Sequence, residues 1–261
     1  MSMKKYIPII YIAVSLQIEK CFRFYNFNMY FIFLRYTYFI PSSPVLFFHP
    51  PMFTFLSHIP KTITPKTKCL IMLHGVGSNE HDLFWLLTHF EDYFVFSLQG
   101  PFNLGMGRYG WYPLDFSTGK RVYKFSEVLV WFAHIKDFIE DISQKHHLFP
   151  EQIYLFGFSQ WAILSYFMLF HTPEKIHGVI GLSGRVIEEL HDQKVMEEKY
   201  EWKKVFIGHG ALDNVIHPIE AQETEEFLQT LGITPTKKIY DIPHTISPQE
   251  IIDIQNWLKN E

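Results

Sequence analysis

Cysteine is scarce in this chain. Cys21 and Cys69 are the only two among 261 residues, too few for the disulfide scaffold on which small secreted folds rely. Cys69 lies in the apolar run Cys69-Leu70-Ile71-Met72-Leu73, where a buried free thiol and a reducing, cytoplasmic setting are expected. Excess positive charge is missing as well. The 23 Lys and Arg against 27 Asp and Glu give a formal charge of −4, which removes the electrostatic reason to expect nucleic acid. Long uninterrupted apolar runs are absent too. The stretch 27–48 is broken by Arg35, Pro41, Pro44 and a Ser pair, well short of the ~20 residues that a membrane span needs. Neither His146-His147 nor His209 and His217 stand among enough acids or thiols to suggest a metal site.

Glycine is missing from one region only. Residues 1–51 hold 14 Phe or Tyr, five Lys or Arg, one acid (Glu19) and no glycine, although turns normally need φ > 0 somewhere. Three readings of this segment stay open. Lys4-Lys5 followed by Tyr6 to Leu16 has the charged and apolar parts of a signal peptide, with Ala13-Val14-Ser15 as a poor cleavage site. Residues 27–48 form a strained membrane anchor. The preferred expectation is that 1–51 is an extension outside the folded domain, and that Met52 opens a domain running to residue 261. That remainder carries 18 basic and 26 acidic residues, a net of −8.

Beyond Met52, apolar runs alternate with amphipathic stretches, the pattern of a mostly parallel sheet with helices on both faces. Strands are expected at Cys69–Leu73, Tyr93–Ser97, Ile153–Phe156, Val179–Leu182, Lys204–Ile207 and Lys237–Asp241, with an edge strand at Met52–Leu56. Helices are expected at Ser126–Lys145, Gln160–Phe170, Pro218–Leu231 and Ser247–Leu258. In the first, Leu129, Phe132, Ile135, Ile139 and Ile142 share a face. The last opens with Ser-Pro-Gln-Glu, a capping box with proline at the first helical position. Gly100–Phe125 is rich in aromatics, glycine and proline and is expected to be irregular. It either covers a binding site or is a surface loop anchored by its aromatics.

The chemistry centres on Gly157-Phe158-Ser159-Gln160-Trp161. It follows a strand and opens a helix, as a nucleophile elbow does. A serine alcohol is a poor nucleophile without a base, and in hydrolases of this order an acid and then a histidine follow it in the chain. Asp213 and His244 do so, each just past a strand end. Asp241 is a rival acid, less suited to clamp a ring three residues away. Asp213 also has a plain reading as a turn residue capping the helix after Pro218. The glycine-rich stretch His74-Gly75-Val76-Gly77 follows the first buried strand. The N–H of Val76, paired with that of Gln160, would form an oxyanion hole.

Together Leu73-His74-Gly75-Val76-Gly77, Gly157-Phe158-Ser159-Gln160, His209-Gly210 with Asp213, and His244-Thr245-Ile246-Ser247 resemble the phospholipase/carboxylesterase family of α/β hydrolases. The resemblance implies an α/β-hydrolase fold with Ser159 as nucleophile, His244 as base and acid, and Asp213 as its orienter. Val76 and Gln160 then supply backbone oxyanion donors, and Trp111 and Tyr112 lie in an aromatic loop beside the substrate. It further implies small-molecule ester or thioester substrates, no metal and no organic cofactor. One departure stands out: the family carries glycine where this chain has Trp161. A side chain there must project away from the elbow or push it apart, and overpacking costs about 1–3 kcal/mol. The competing expectation is therefore a hydrolase fold kept as a binding or interaction module.

Overall fold

A computed structural model describes residues 53–112, 123–190 and 199–261. Among the described residues, seven strands form one sheet in the order β1-β3-β2-β6-β7-β8-β9. They are β1 (Phe55–His58), β2 (Cys69–Leu73), β3 (Phe94–Leu98), β6 (Ile153–Phe158), β7 (Gly178–Leu182), β8 (Lys204–Gly210) and β9 (Thr236–Tyr240). Only the edge strand β1 runs antiparallel to its neighbour; all other pairs are parallel. The fold is the expected α/β-hydrolase type, with the predicted strands in place within one to three residues at each end.

Period-2 alternation divides the core into two layers. Cys69, Ile71 and Leu73 of β2 face one apolar cluster, packed under the helices α2 (Phe125–His146) and α3 (Gln160–His171). Leu70 and Met72 face the other, with Ile251, Ile254, Trp257 and Leu258 of the C-terminal helix α5 (Pro248–Asn260). The helix α4 (Ile219–Thr230) covers the first layer beside β8. A single helical turn, α1 (His81–Phe84), lies after β2. Helix α3 is buried from Gln160 to Phe170. Such an all-round apolar helix belongs at the centre of a core. At α5 the predicted capping box is formed: Ser247 Oγ accepts from Glu250 N–H, and Glu250 Oε2 accepts from Ser247 N–H.

Two expectations need correction. Gly100–Phe125 is not wholly irregular, because β4 (Phe102–Gly105) and β5 (Arg108–Gly110) pair as an antiparallel hairpin. Its turn takes positive φ at Gly105, Met106 and Gly107, so the glycines that made the stretch look broken build the turn itself. Residues 113–122 of that stretch lie outside the described residues. On α2 the buried stripe runs through Val128, Ile135, Phe138, Ile139 and Ile142, while Leu129 is exposed. The predicted face was rotated slightly at its start. Among the described residues no helix is long and apolar enough to cross a membrane. The expected boundary after residue 51 also lies outside them.

His171 closes α3 with its ring against Phe132, Phe167 and Phe170. Burial lowers its pKa from 6.5 to about 4, so the folded chain keeps this ring neutral where the unfolded chain would charge it. The unfolded chain takes up a proton first as pH falls. Stability is therefore full above pH 6.5 and declines toward pH 4, by about 2–3 kcal/mol from this group. Urea denaturation of the parent and of His171→Phe at pH 7 and pH 4.5 should show a smaller acid loss in the variant. Equal losses would remove His171 as the cause.

Candidate active site

Strand β6 delivers Ser159 into a sharp turn at φ 59°, ψ −121°, a region that costs a non-glycine residue of order 1–3 kcal/mol. Three contacts hold it there. Ser159 N–H donates to Leu182 O at 2.8 Å on the neighbouring β7. A Cβ on Gly157 would stand 2.7 Å from Ala162 N and Trp161 C. A Cβ on Gly184 would stand 2.2 Å from Ala162 Cβ. Strand and helix can meet this closely only because those positions are small.

The loop after β9 brings His244 to this serine, with Nε2 2.9 Å from Ser159 Oγ. Its Nδ1 lies 2.6 Å from Asp213 Oδ2, so the carboxylate fixes Nδ1–H and leaves Nε2 to accept. Asp213 Oδ1 takes the N–H groups of Val215 and Ile216 at 2.8 and 2.9 Å. Burial opposes its ionisation, but the bonds from His244, Ile216 and Val215 outweigh that and hold its pKa below the ordinary carboxylate value. The three residues read from the sequence thus converge, and the rival Asp241 is exposed. Asp213 does accept turn N–H groups, as its plain reading supposed, while its other oxygen holds the histidine.

Two histidines escaped functional notice. His209 is fully buried, with Nε2 2.9 Å from Ile216 O and 3.4 Å from Asp213 Oδ2. A carbonyl can only accept, so Nε2 carries the hydrogen, and this ring braces the acid's loop. His74 is also fully buried. Its Nδ1–H donates to Gly75 O at 2.7 Å, and its Nε2 accepts from Gly100 N–H at 2.8 Å. Burial lowers its pKa, which keeps the ring neutral as that bonding requires. The spacing His-Gly-x-x-Asp hinted at the first, and His-Gly-x-Gly at the second.

Gly75 packs against the serine: a Cβ there would lie 3.4 Å from Ser159 Cβ and 3.2 Å from Phe158 Cδ1. That sets the Gly75–Val76 peptide beside Ser159. The hairpin secures the loop through Gly77 N–H to Tyr109 O and Tyr109 N–H to Ser78 O. Gln160 is the first residue of α3, where backbone N–H groups lack intrahelical partners. Its side chain accepts from Trp111 N–H at 3.4 Å and donates to Tyr112 O at 3.1 Å. Trp111 and Tyr112 differ from expectation: both side chains are buried in the core, so neither offers an open ring face to substrate. Trp161 is buried as well. It projects away from the elbow contact, which Ala162 makes instead.

A profile of the phospholipase/carboxylesterase family matches residues 56–261. The chain belongs to that family. Acyl-protein thioesterase 1 of Candida albicans is 28% identical over 226 residues, covering 77% of this chain and 95% of the relative. The solved esterase PE8 superposes with a TM-score of 0.66 at 24% identity, over 80% of this chain and 98% of its own. The Bacillus cereus carboxylesterase gives 0.69 at 20% identity, over 80% and 94%; these two likenesses speak to the fold alone. This phospholipase/carboxylesterase family member is therefore a hydrolase of the carboxylesterase and thioesterase group.

Glu250 anchors the loop that carries His244. It is buried, and Gly208 leaves room for it, since a Cβ there would meet Glu250 Oε1 at 2.0 Å. Burial raises its pKa to about 7, against the bond from Ser247 N–H and with added repulsion from Asp253. A raised carboxyl pKa favours the fold below its ordinary value of 4.5, and that advantage disappears as pH rises through 7. Glu250→Gln keeps an acceptor for Ser247 and needs no ionisation. It should be more stable than the parent at pH 8.5, by about 2–3 kcal/mol, with a smaller difference at pH 5. Urea titration at both values checks this, and a variant weaker at both would overturn it.

Proposed function

We propose that this family member is a serine hydrolase that cleaves carboxylic esters or thioesters through an acyl-enzyme on Ser159. The observation that carries the reading is the continuous bonding from Ser159 Oγ through His244 to Asp213, at 2.9 and 2.6 Å. Ser159 attacks the acyl carbon while His244 Nε2 takes the hydroxyl proton, and Asp213 stabilises the imidazolium. The N–H groups of Val76 and Gln160 receive the developing oxyanion. His244 returns the proton to the departing alcohol or thiol. Water then repeats the sequence with His244 as base, releasing the acid. Every proton moves through one imidazole.

The substrate class follows the phospholipase/carboxylesterase family and the relative named as an acyl-protein thioesterase. The hydrolase domain on this reading is 52–261, within which the family match falls. Retention of the fold as a binding module rests on Trp161 alone.

A fluorophosphonate probe tests the reading directly, because it needs the activated serine. The parent should gain one phosphonyl group on Ser159, with loss of fluoride. Ser159→Ala should gain none, and its hydrolysis of p-nitrophenyl butyrate should fall by about 10⁴-fold or more. An unlabelled parent that also leaves the ester intact would favour the binding module.

A further inference from the structure

We propose that Trp161 is a positioning residue: through Trp111 it braces both strands of backbone that supply the oxyanion donors. The proposal rests on the serine-hydrolase reading and assigns a role to the residue that departs from the family's glycine.

The path starts in the first turn of α3. The Trp161 and Trp111 rings meet edge to face at 82°, with centroids 3.7 Å apart. The two rings are in direct contact. Both are fully buried. Trp111 in turn holds the donors from two sides. Its Nε1–H donates to His74 O at 3.1 Å, and its ring lies 5.3 Å from the His74 imidazole. Its backbone N–H donates to the side chain of Gln160.

Peptide geometry converts these contacts into an aim. In a trans peptide the C=O and N–H point in opposite directions. His74 Nδ1–H captures Gly75 O, so the N–H of Val76, in the same peptide plane, is turned away from His74. Gly100 N–H on His74 Nε2 stops the ring from rotating or changing tautomer. Gly75 itself rests on Ser159 Cβ. One indole, Trp111, therefore secures the Val76 donor through His74 and the Gln160 residue through its amide. Trp161 is the side chain packed against that indole from beneath the elbow. A glycine at 161 has nothing that reaches it.

The brace is the aromatic bulk of Trp161, not its N–H. Trp161 Nε1 is buried with no hydrogen-bond partner among the described residues, a penalty that phenylalanine in the same space would avoid. The proposal therefore assigns the bracing to the aromatic bulk and predicts that Phe suffices.

The test uses the full chain, with kcat expressed per fluorophosphonate-titratable serine, so that misfolded protein drops out. Trp111→Phe keeps the ring but loses the bond to His74, Trp161→Gly removes the brace, and Trp161→Phe retains it. Substrate is p-nitrophenyl butyrate, and an alkyl trifluoromethyl ketone reports the oxyanion hole through its tetrahedral adduct. A misplaced donor costs about 10²-fold. Trp111→Phe and Trp161→Gly should thus lose about 10²-fold in kcat with KM within about threefold, and the ketone's Ki should rise in parallel. Trp161→Phe should stay within about threefold of the parent. A lower Tm with unchanged kcat per titrated serine overturns the brace, as does a faster Trp161→Gly. If Trp161→Gly does not fold, Trp111→Phe decides by the same criteria. A parent that neither labels nor hydrolyses removes the hydrolase reading, and the brace with it. A parent that labels beside an unaffected Trp111→Phe removes the brace alone.

Discussion

A serine forced to positive φ at the end of β6 is the constraint on which the rest of this structure depends. At φ 59° Ser159 holds a conformation its side chain does not favour. It persists because the parallel partner β7 captures its N–H and because Gly157, Ala162 and Gly184 let helix and strand close to backbone distance. The sheet order then does the remaining work. With β6, β7, β8 and β9 adjacent and parallel, the loops beyond their C-terminal ends open on one rim. Asp213 follows β8 and His244 follows β9, so residues 85 positions apart come within 2.9 Å.

Polar atoms buried beneath that rim are organised by two further imidazoles. Each sits at the end of a strand and donates to a backbone carbonyl, His74 to Gly75 and His209 to Ile216. A buried side chain that fixes a carbonyl also fixes the N–H of the same peptide. The first arrangement sets the Gly75–Val76 peptide. The second ties down Ile216, whose own N–H is one of the two that hold Asp213. Neither imidazole hydrogen-bonds the serine, yet one fixes backbone beside it and the other fixes the turn around Asp213.

Much of this was legible from residue order. The buried strands announced themselves as short apolar runs, and Ser159, Asp213 and His244 followed the strand-end rule that open α/β sheets impose. What stayed hidden depended on direction rather than position. Sequence placed Trp111 and Tyr112 near the site but could not say that their rings turn inward. It offered His209 and His74 as members of motifs, while their bonding depends on which ring nitrogen meets a carbonyl. The β4–β5 hairpin was missed because Gly105, Met106 and Gly107 read as interruption when they are the turn. Leu129 was assigned inward by an idealised period that the real start of α2 shifts.

Trp161 shows the same limit most sharply. A side chain two residues after the serine was expected to project away from the elbow or push it apart. The demand falls elsewhere: Gly157 meets the backbone of Trp161 and Ala162, and the side chain that contacts Gly184 belongs to Ala162. A large residue at 161 leaves the elbow closed because its Cβ points into the core. Burying an indole of about 200 Å² favours folding by roughly 5 kcal/mol. An unpartnered N–H takes back about 1–3 kcal/mol. About 2–4 kcal/mol is left in favour of the indole, so its packing stabilises the core, and its contact with Trp111 links that packing to the backbone around Ser159.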